Sequence, residues 1–154
     1  MITTIDMSAF GANFNLSGTL TLPKSLVTIG DSAFSNCKAL TSIMFESDSN
    51  LQTIKKNAFS QCKNLESIEI PETVTKIETK ILDSNYKINK IILKGDIPLD
   101  EDSIRYLKFT MINISYNSRK ICIVGSGKRA EQLFKELPKA YENVRFKKCT
   151  QDKM

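Results

Sequence analysis

The sequence contains no histidine. Histidine is the usual general base near neutral pH and the commonest metal ligand. Its absence removes Ser-His-Asp and Cys-His catalysis together. The four cysteines form no C-x-x-C pair, so the ordinary zinc patterns are missing as well. There is no G-x-S-x-G motif and no pair of carboxylates in an apolar setting. Asp96, Asp100, Glu101 and Asp102 form an acidic turn without EF-hand spacing, as a solvated loop would. No catalytic residue, metal ligand or cofactor is therefore expected, and the chain reads as non-enzymatic. Long apolar runs are lacking too. None approaches the length of about 18 residues that a membrane helix needs. The opening MITTIDMSAFGANF has neither a basic stretch nor an apolar core, and does not read as a signal peptide. On that ground the chain is expected to be intracellular or a piece of a longer protein.

What is present suits one globular domain. The chain has 154 residues, of which 41% are hydrophobic and 25% charged. The net charge is +5, with lysine and arginine denser over 76–94, 119–129 and 145–148. A solvated repeat surface accounts for this. A weak anion-binding patch is the alternative, but no nucleic-acid-reading motif accompanies it. Nucleic acid is not expected as a partner.

The organising feature is an internal repeat. From Ile54, landmarks fall at Phe59, Cys62, Leu65, Ile68 and Ile70. From Ile29 the same offsets reach Phe34, Cys37, Leu40, Ile43 and Phe45. From Ile77 they reach Leu82, Asn85, Ile88, Ile91 and Leu93. Ile68 and Ile70 share one face of a strand, and Glu69 between them points out. Pro71 ends that strand. Ala58 and Phe59 lead a short turn or single helical turn. One such coil cannot bury its own apolar face, so stability must come from stacking coil on coil.

The pattern L-x-x-I-x-I-P followed by V-x-x-I-x-x-x-A-F-x-x-C resembles the BspA-like leucine-rich repeats. The stretch LPKSLVTIGDSAFSNCKALTSIMF, residues 22–45, carries it best. That family occurs in surface proteins of host-associated bacteria and protist parasites. The resemblance implies an α/β solenoid, a right-handed leucine-rich-repeat superhelix. It would have one parallel sheet, short turns or helical turns opposite, and a helix-containing C-terminal cap. It also implies adhesion to host proteins at a cell surface. The alternative is an intracellular scaffold or regulatory subunit.

Along the chain, coils are expected at 2–22, 23–45, 46–70 and 71–93, with degenerate coils at 94–114 and 115–146 and a polar tail at 147–154. Nothing caps the first coil, which leaves a route to oligomers. Phe109, Ile112 and Ile114 repeat the strand spacing, as do Tyr141, Val144 and Phe146, so both sets read as strands of the same sheet. A short helix is expected near 101–107, capped by Asp100 or Asp102. Residues 121–124 suit a buried strand. Ala130, Leu133, Phe134 and Leu137 give a helical face that Pro138 ends.

Cys37 and Cys62 occupy one repeat position in neighbouring coils. They are expected as free core thiols, with a mutual disulfide as the alternative. All four cysteines are expected to be free. Cys149 is two residues too early for a prenylation box. The run VGSGKRA, residues 124–130, lacks the Walker spacing and the third glycine of a dinucleotide loop. No βαβ frame is expected around it, and it reads as a helix-entry turn. Two sequons, at Asn15 and Asn113, matter only in a secreted chain.

The outward ladders of the sheet are Thr21, Met44, Glu69 and Ile92, with Ser42, Ser67 and Lys90 beside them. A protein ligand is expected on Ser42, Met44, Ser67, Glu69, Lys90 and Ile92. Met44 and Ile92 would anchor it, and Glu69 and Lys90 would set specificity.

Overall fold

The isoleucine that opens each repeat enters a strand of two residues. These are β1 (Thr4–Ile5), β3 (Thr28–Ile29), β5 (Thr53–Ile54) and β7 (Lys76–Ile77). The leucine and isoleucine landmarks further on build longer strands: β2 (Gly18–Leu22), β4 (Leu40–Phe45), β6 (Ser67–Ile70) and β8 (Lys90–Leu93). After them come α1 (Glu101–Ser115), β9 (Lys120–Val124), α2 (Lys128–Glu136) and β10 (Arg145–Cys149). This computed structural model describes residues 1–115, 120–137 and 145–149, without the side chains of 114, 115, 120 and 145–148.

The strands stack in parallel as a solenoid, as expected. Two ladders run along it where one sheet was anticipated. A narrow sheet has the order β1-β3-β5-β7, and a broad one the order β10-β9-β8-β6-β4-β2. Between them lies one continuous core. Leu65, Ile68 and Ile70 are fully buried in it, together with Ile29, Ile54 and Ile91.

The turn after each narrow strand is not helical. Ser8, Ser32, Asn57 and Lys80, three residues past the opening isoleucine, all have φ between 55° and 58°. Ala12, Asn36, Gln61 and Ser84, seven residues past it, have φ between 55° and 62°. Each pair marks two successive four-residue turns with a left-handed third residue, closed by bonds such as Ala33 N to Gly30 O and Cys37 N to Phe34 O. This twist aims alternate N–H groups along the solenoid axis. Ser32 N, Phe34 N and Asn36 N donate to Lys56 O, Ala58 O and Ser60 O of the next coil. The strain of a left-handed residue, about 1–2 kcal/mol each, is thus offset by inter-coil bonds. Gln61 is exposed, so its backbone preference can be tested without disturbing packing. Gln61→Gly is expected to stabilise by about 0.5–1 kcal/mol, and Gln61→Val to cost about 1–3 kcal/mol. Thermal melts should rank Gly above Gln above Val, and a valine variant as stable as wild type would contradict the strain.

Two columns of side chains run through the core. Phe10, Phe34 and Phe59 stack with nearly parallel rings, at centroid distances of 5.3 and 5.5 Å. Leu82 takes the same position in the next coil and ends the stack. The second column is Cys37, Cys62 and Asn85. Each donates to a phenylalanine carbonyl of the preceding coil: Cys37 Sγ to Phe10 O at 3.1 Å, Cys62 Sγ to Phe34 O at 3.2 Å, and Asn85 Nδ2 to Phe59 O at 2.7 Å. The cysteine position is therefore a hydrogen-bond donor as well as a small core filler, which is why asparagine can replace it.

Both thiols are free and buried, as expected. Burial pushes the Cys62 thiol up to about 12 from an ordinary 9.0. Folding thus favours the protonated form. Its contribution is complete below pH 9 and is lost as pH rises toward 12. Raising pH from 8 to 10 should cost about 1 kcal/mol through this group. Urea midpoints at both pH values should show a smaller drop in Cys62→Ala; an equal drop would show that Cys62 is not the group responsible.

Several expectations fail after β8. Phe109 and Ile112 lie in α1, as does Ile114, and form no strand; the helix runs to Ser115, well past the expected end. Ile104, Leu107 and Met111 are its buried face, while Phe109 is 54% exposed. Asp100 does cap this helix, accepting from Ser103 N at 2.7 Å, and this bond holds its carboxyl below the ordinary range. Ser103 in turn closes the narrow sheet, because its hydroxyl accepts from Ile77 N at 2.9 Å. Phe146 lies in a strand, but that strand begins at Arg145 and includes Lys147, Lys148 and Cys149, so the polar tail does not start at 147. Tyr141, Val144 and Pro138 lie outside the described residues, as does 150–154. Strand β9 and helix α2 are where the sequence places them.

Candidate protein-binding face

Parallel register lines up the outward side chains of the broad sheet. One row is Thr19, Ser42, Ser67, Lys90 and Cys122. In the other row Thr21 pairs with Met44, and Glu69, Ile92, Val124 and Cys149 follow by pairing. The Ile43–Ile68 pairing puts Met44 level with Glu69. All six expected site residues therefore do share one face. The neighbours of each decide how much of it is accessible.

Ser42, Met44, Ser67 and Lys90 are half-buried, with Thr19 and Thr21 exposed beside them. Ser67 Oγ donates to Ser42 Oγ at 2.9 Å, which fixes the hydroxyl pair. Glu69 was expected to be exposed and is only 5% so. Lys94 reaches over it from the strand end, with Nζ 3.3 Å from Oε1. Ile92 was expected as an exposed apolar anchor and is only 6% exposed. It packs with Val124, Cys149 and Cys122 in a small cluster on the outer face. Alternation told which face these two residues occupy. It could not tell that strands β9 and β10 cover that end.

The cover is cross-linked. Cys122 and Cys149 form a disulfide with Cα atoms 5.4 Å apart, across 27 positions of sequence. This corrects the expectation of four free thiols. Cys122 lies in a strand that the apolar run predicts, and Cys149 in a segment whose composition reads as polar tail. Only the β9–β10 pairing, Lys147 beside Cys122 and Val124 beside Cys149, brings them together.

Beside the covered end lies a groove of 740 Å³, lined by Lys94, Gly95, Asp96, Gly125, Ser126, Gly127 and Cys149 among others. The glycine run sits here, and a βαβ frame does surround it, since β9 and β10 are parallel and α2 connects them. The glycines serve close backbone approach. A Cβ on Gly125 would meet the Leu93 carbonyl, and one on Gly127 the Gly95 carbonyl. The helix N-terminus, where an anion would bind, already has partners. Lys128 N donates to Asp96 Oδ1 and Arg129 N to Gly95 O, both at 3.2 Å. Arg129 is 1% exposed and bolts α2 to the solenoid, with Nε on Ile97 O at 2.5 Å and Nη1 on Pro71 O at 3.4 Å. Desolvation lowers its pKa, and the charge of Glu72 opposes that. The described residues hold no cluster of three metal-ligating side chains, and no described helix is long and apolar enough to cross a membrane.

None of the curated proteins matches this chain. Among solved structures, the fold is similar to the pneumococcal vaccine antigen PcpA, with a TM-score of 0.59 and 20% identity, over 83% of this chain and 38% of that one. It is also similar to a leucine rich cell surface protein from Faecalibacterium prausnitzii, with a TM-score of 0.54 and 17% identity, over 79% and 40% of the two chains. The chain spans about two fifths of either structure, and at these identities the likeness shows the fold. The sequence itself decides the family. The BspA type leucine rich repeat region matches in six copies across residues 2–123, and these cover the stacked coils, α1 and most of β9. With its landmark residues buried at the same place in coil after coil, the chain belongs to the BspA type leucine-rich repeat family.

Proposed function

We propose that this chain is a protein-binding module that reads its partner with the outward face of β2, β4, β6 and β8. Carrying this is one observation: Ser42, Met44, Ser67 and Lys90 stand accessible on adjacent rungs whose backbone groups are bound within the sheet. A partner must then recognise side chains. Met44 is the apolar residue available to anchor it, ringed by Thr19, Thr21 and the serine hydroxyls, and Lys90 supplies a charge at the edge. Glu69 acts from beneath by holding Lys94. Ile92 supports the face from within the apolar cluster.

The finer role is adhesion to host proteins at a cell surface, as the family's occurrence implies. Two observations support it. One structural neighbour is described as a leucine rich cell surface protein. The Cys122–Cys149 disulfide is of a kind that persists in oxidising surroundings. The test is surface plasmon resonance against a panel of host matrix and cell-surface proteins. Met44→Asp is expected to weaken binding at least about 10-fold, in line with loss of a central anchor, with an unchanged melting temperature. Lys90→Glu should slow association chiefly at low salt. A Met44→Asp variant that binds like wild type would move the site off this face.

A further inference from the structure

We infer that a row of side chains beside the broad sheet is a docking surface for an extended segment of a partner protein with the pattern apolar-x-acidic-x-apolar. The row is Phe14, Lys38, Lys63 and Tyr86. Each follows the second core column of its coil, held by Asn13, Cys37, Cys62 and Asn85. Inter-coil bonds on both sides keep the row level. Before it, Asn36 N donates to Ser60 O and Gln61 N to Asp83 O. After it, Glu66 N donates to Thr41 O and Asn89 N to Glu66 O. Asn64 clamps it from within, because its Nδ2 donates to Lys38 O at 2.7 Å and its Oδ1 accepts from Lys87 Nζ at 2.6 Å.

All four residues are exposed, Phe14 by 60% and Tyr86 by 48%. Lys38 and Lys63 have a coil on either side and still face water. The position in the coil, and not the start of the chain, therefore turns Phe14 outward. Rings presented this way are where a partner gains most from burial. Lys38 and Lys63 have no carboxylate partner among the described residues. Lys38 Nζ lies 5.6 Å from the centroid of the Phe14 ring, which leaves its charge available beside an apolar surface. Lys87 and Lys90 add positive charge on the fourth coil, and Glu66 opposes them.

Spacing and charge together select the occupant. Stacked coils repeat about every 4.8 Å, so Phe14 and Tyr86 stand about 14 Å apart with the two lysines between them. An extended chain advances about 3.4 Å per residue and turns alternate side chains to one face. Its residues i and i+4 are therefore also about 14 Å apart, and residue i+2 falls midway, between Lys38 and Lys63. Apolar side chains at i and i+4 cover the two rings, while a carboxylate at i+2 meets both ammonium groups. A polyanion such as a sulfated polysaccharide draws its affinity from the number of cations it neutralises. Two lysines flanked by uncharged rings suit it poorly. The row adjoins the face that carries Ser42, Ser67 and Lys90, but the inference does not depend on that face.

The test is NMR titration of the full chain with two peptides. One carries Leu-Ser-Glu-Ser-Leu. The other carries Leu-Glu-Ser-Glu-Leu, which has more acid but turns it to the opposite face. The first should bind at least about fivefold tighter, and shift the amides of Lys38, Lys63 and Tyr86. Lys38→Glu with Lys63→Glu should weaken it at least about fivefold, as should Tyr86→Ala. Melting temperatures should hold, because these side chains are exposed. Met44→Asp should leave peptide binding unchanged, which separates this row from the broad face. Absence of binding, equal affinity for the two peptides, or no loss in the double lysine variant would overturn the inference. So would loss of the peptide in Met44→Asp, which would move it to the broad face. Tighter binding of heparin that ignores Tyr86→Ala would overturn it too, since the row would then serve a polyanion.

Discussion

Phe34→Ala is expected to lose about 3–5 kcal/mol of stability, the cost typical of deleting a large buried ring. Phe34 is 1% exposed and lies between Phe10 and Phe59, at 5.3 and 5.5 Å. Both faces of its ring therefore lose their contacts. The backbone of this residue donates to Ala58 O and accepts from Cys62 Sγ, and alanine keeps both bonds. The loss is thus a packing loss with little room for collapse, since coils held by backbone ladders on two sides cannot close around the hole. Domains of this kind have only about 5–15 kcal/mol in total, so the variant should be marginal at 37 °C. Phe10→Ala, with one ring face already exposed, should cost about 1 kcal/mol. Phe34→Leu should cost about 1 kcal/mol as well, because Leu82 fills the same position in the fourth coil. Urea unfolding of the three variants should separate one severe loss from two mild ones. Equal losses for Phe34→Ala and Phe10→Ala would mean that the ring column is not part of the continuous core.

Much of this fold is legible in the sequence, for a definite reason. Spacing of the kind Leu65, Ile68, Ile70 is imposed by a strand that buries alternate residues, and every coil must obey it to stack. The narrow ladder escaped because a two-residue strand such as Thr28–Ile29 has no alternation to display. The paired left-handed turns escaped because they are occupied by Ser, Asn, Lys, Ala and Gln in place of glycine. The conformation is set by inter-coil bonds and not by residue type. The segment at Phe109 misled for another reason. Apolar residues three apart suit a helix as well as this repeat, and the buried set Ile104, Leu107 and Met111 shows the helical face that won. On the binding face, the rows were readable and the accessibility was not. Glu69 and Ile92 are covered by Lys94, Val124 and Cys149, contacts that depend on which strand lies next to β8.

Removing the Cys122–Cys149 cross-link is expected to cost about 3–4 kcal/mol, and to cost it locally. A bridge across 27 positions restricts the unfolded chain by about that amount in the loop-entropy account. In a solenoid each coil contacts only its neighbours, so a loss at one end need not spread to the other. Among the described residues strand β10 pairs with β9 alone, and the bridge spans that pairing on the outer face. With the bridge reduced, or in a Cys122→Ser and Cys149→Ser double variant, amides of β9, α2 and β10 should exchange much faster. Amides of β4 and β6 should change little, because Cys37 and Cys62 carry no bond to lose. The partner-binding face should keep Met44 and Ser42 in place while losing the apolar support under Ile92, so binding should weaken less than in Met44→Asp. Peptide mapping after alkylation of the unfolded, unreduced protein supplies the direct check. Cys37 and Cys62 should be alkylated, and the peptides of Cys122 and Cys149 should remain linked until reductant is added. Four alkylated cysteines without reductant in protein matured under oxidising conditions would show that the bridge does not form, and the C-terminal end would then be held by Arg129, the Gln132 bonds to Leu99, the buried face of α2 and the strand pairing.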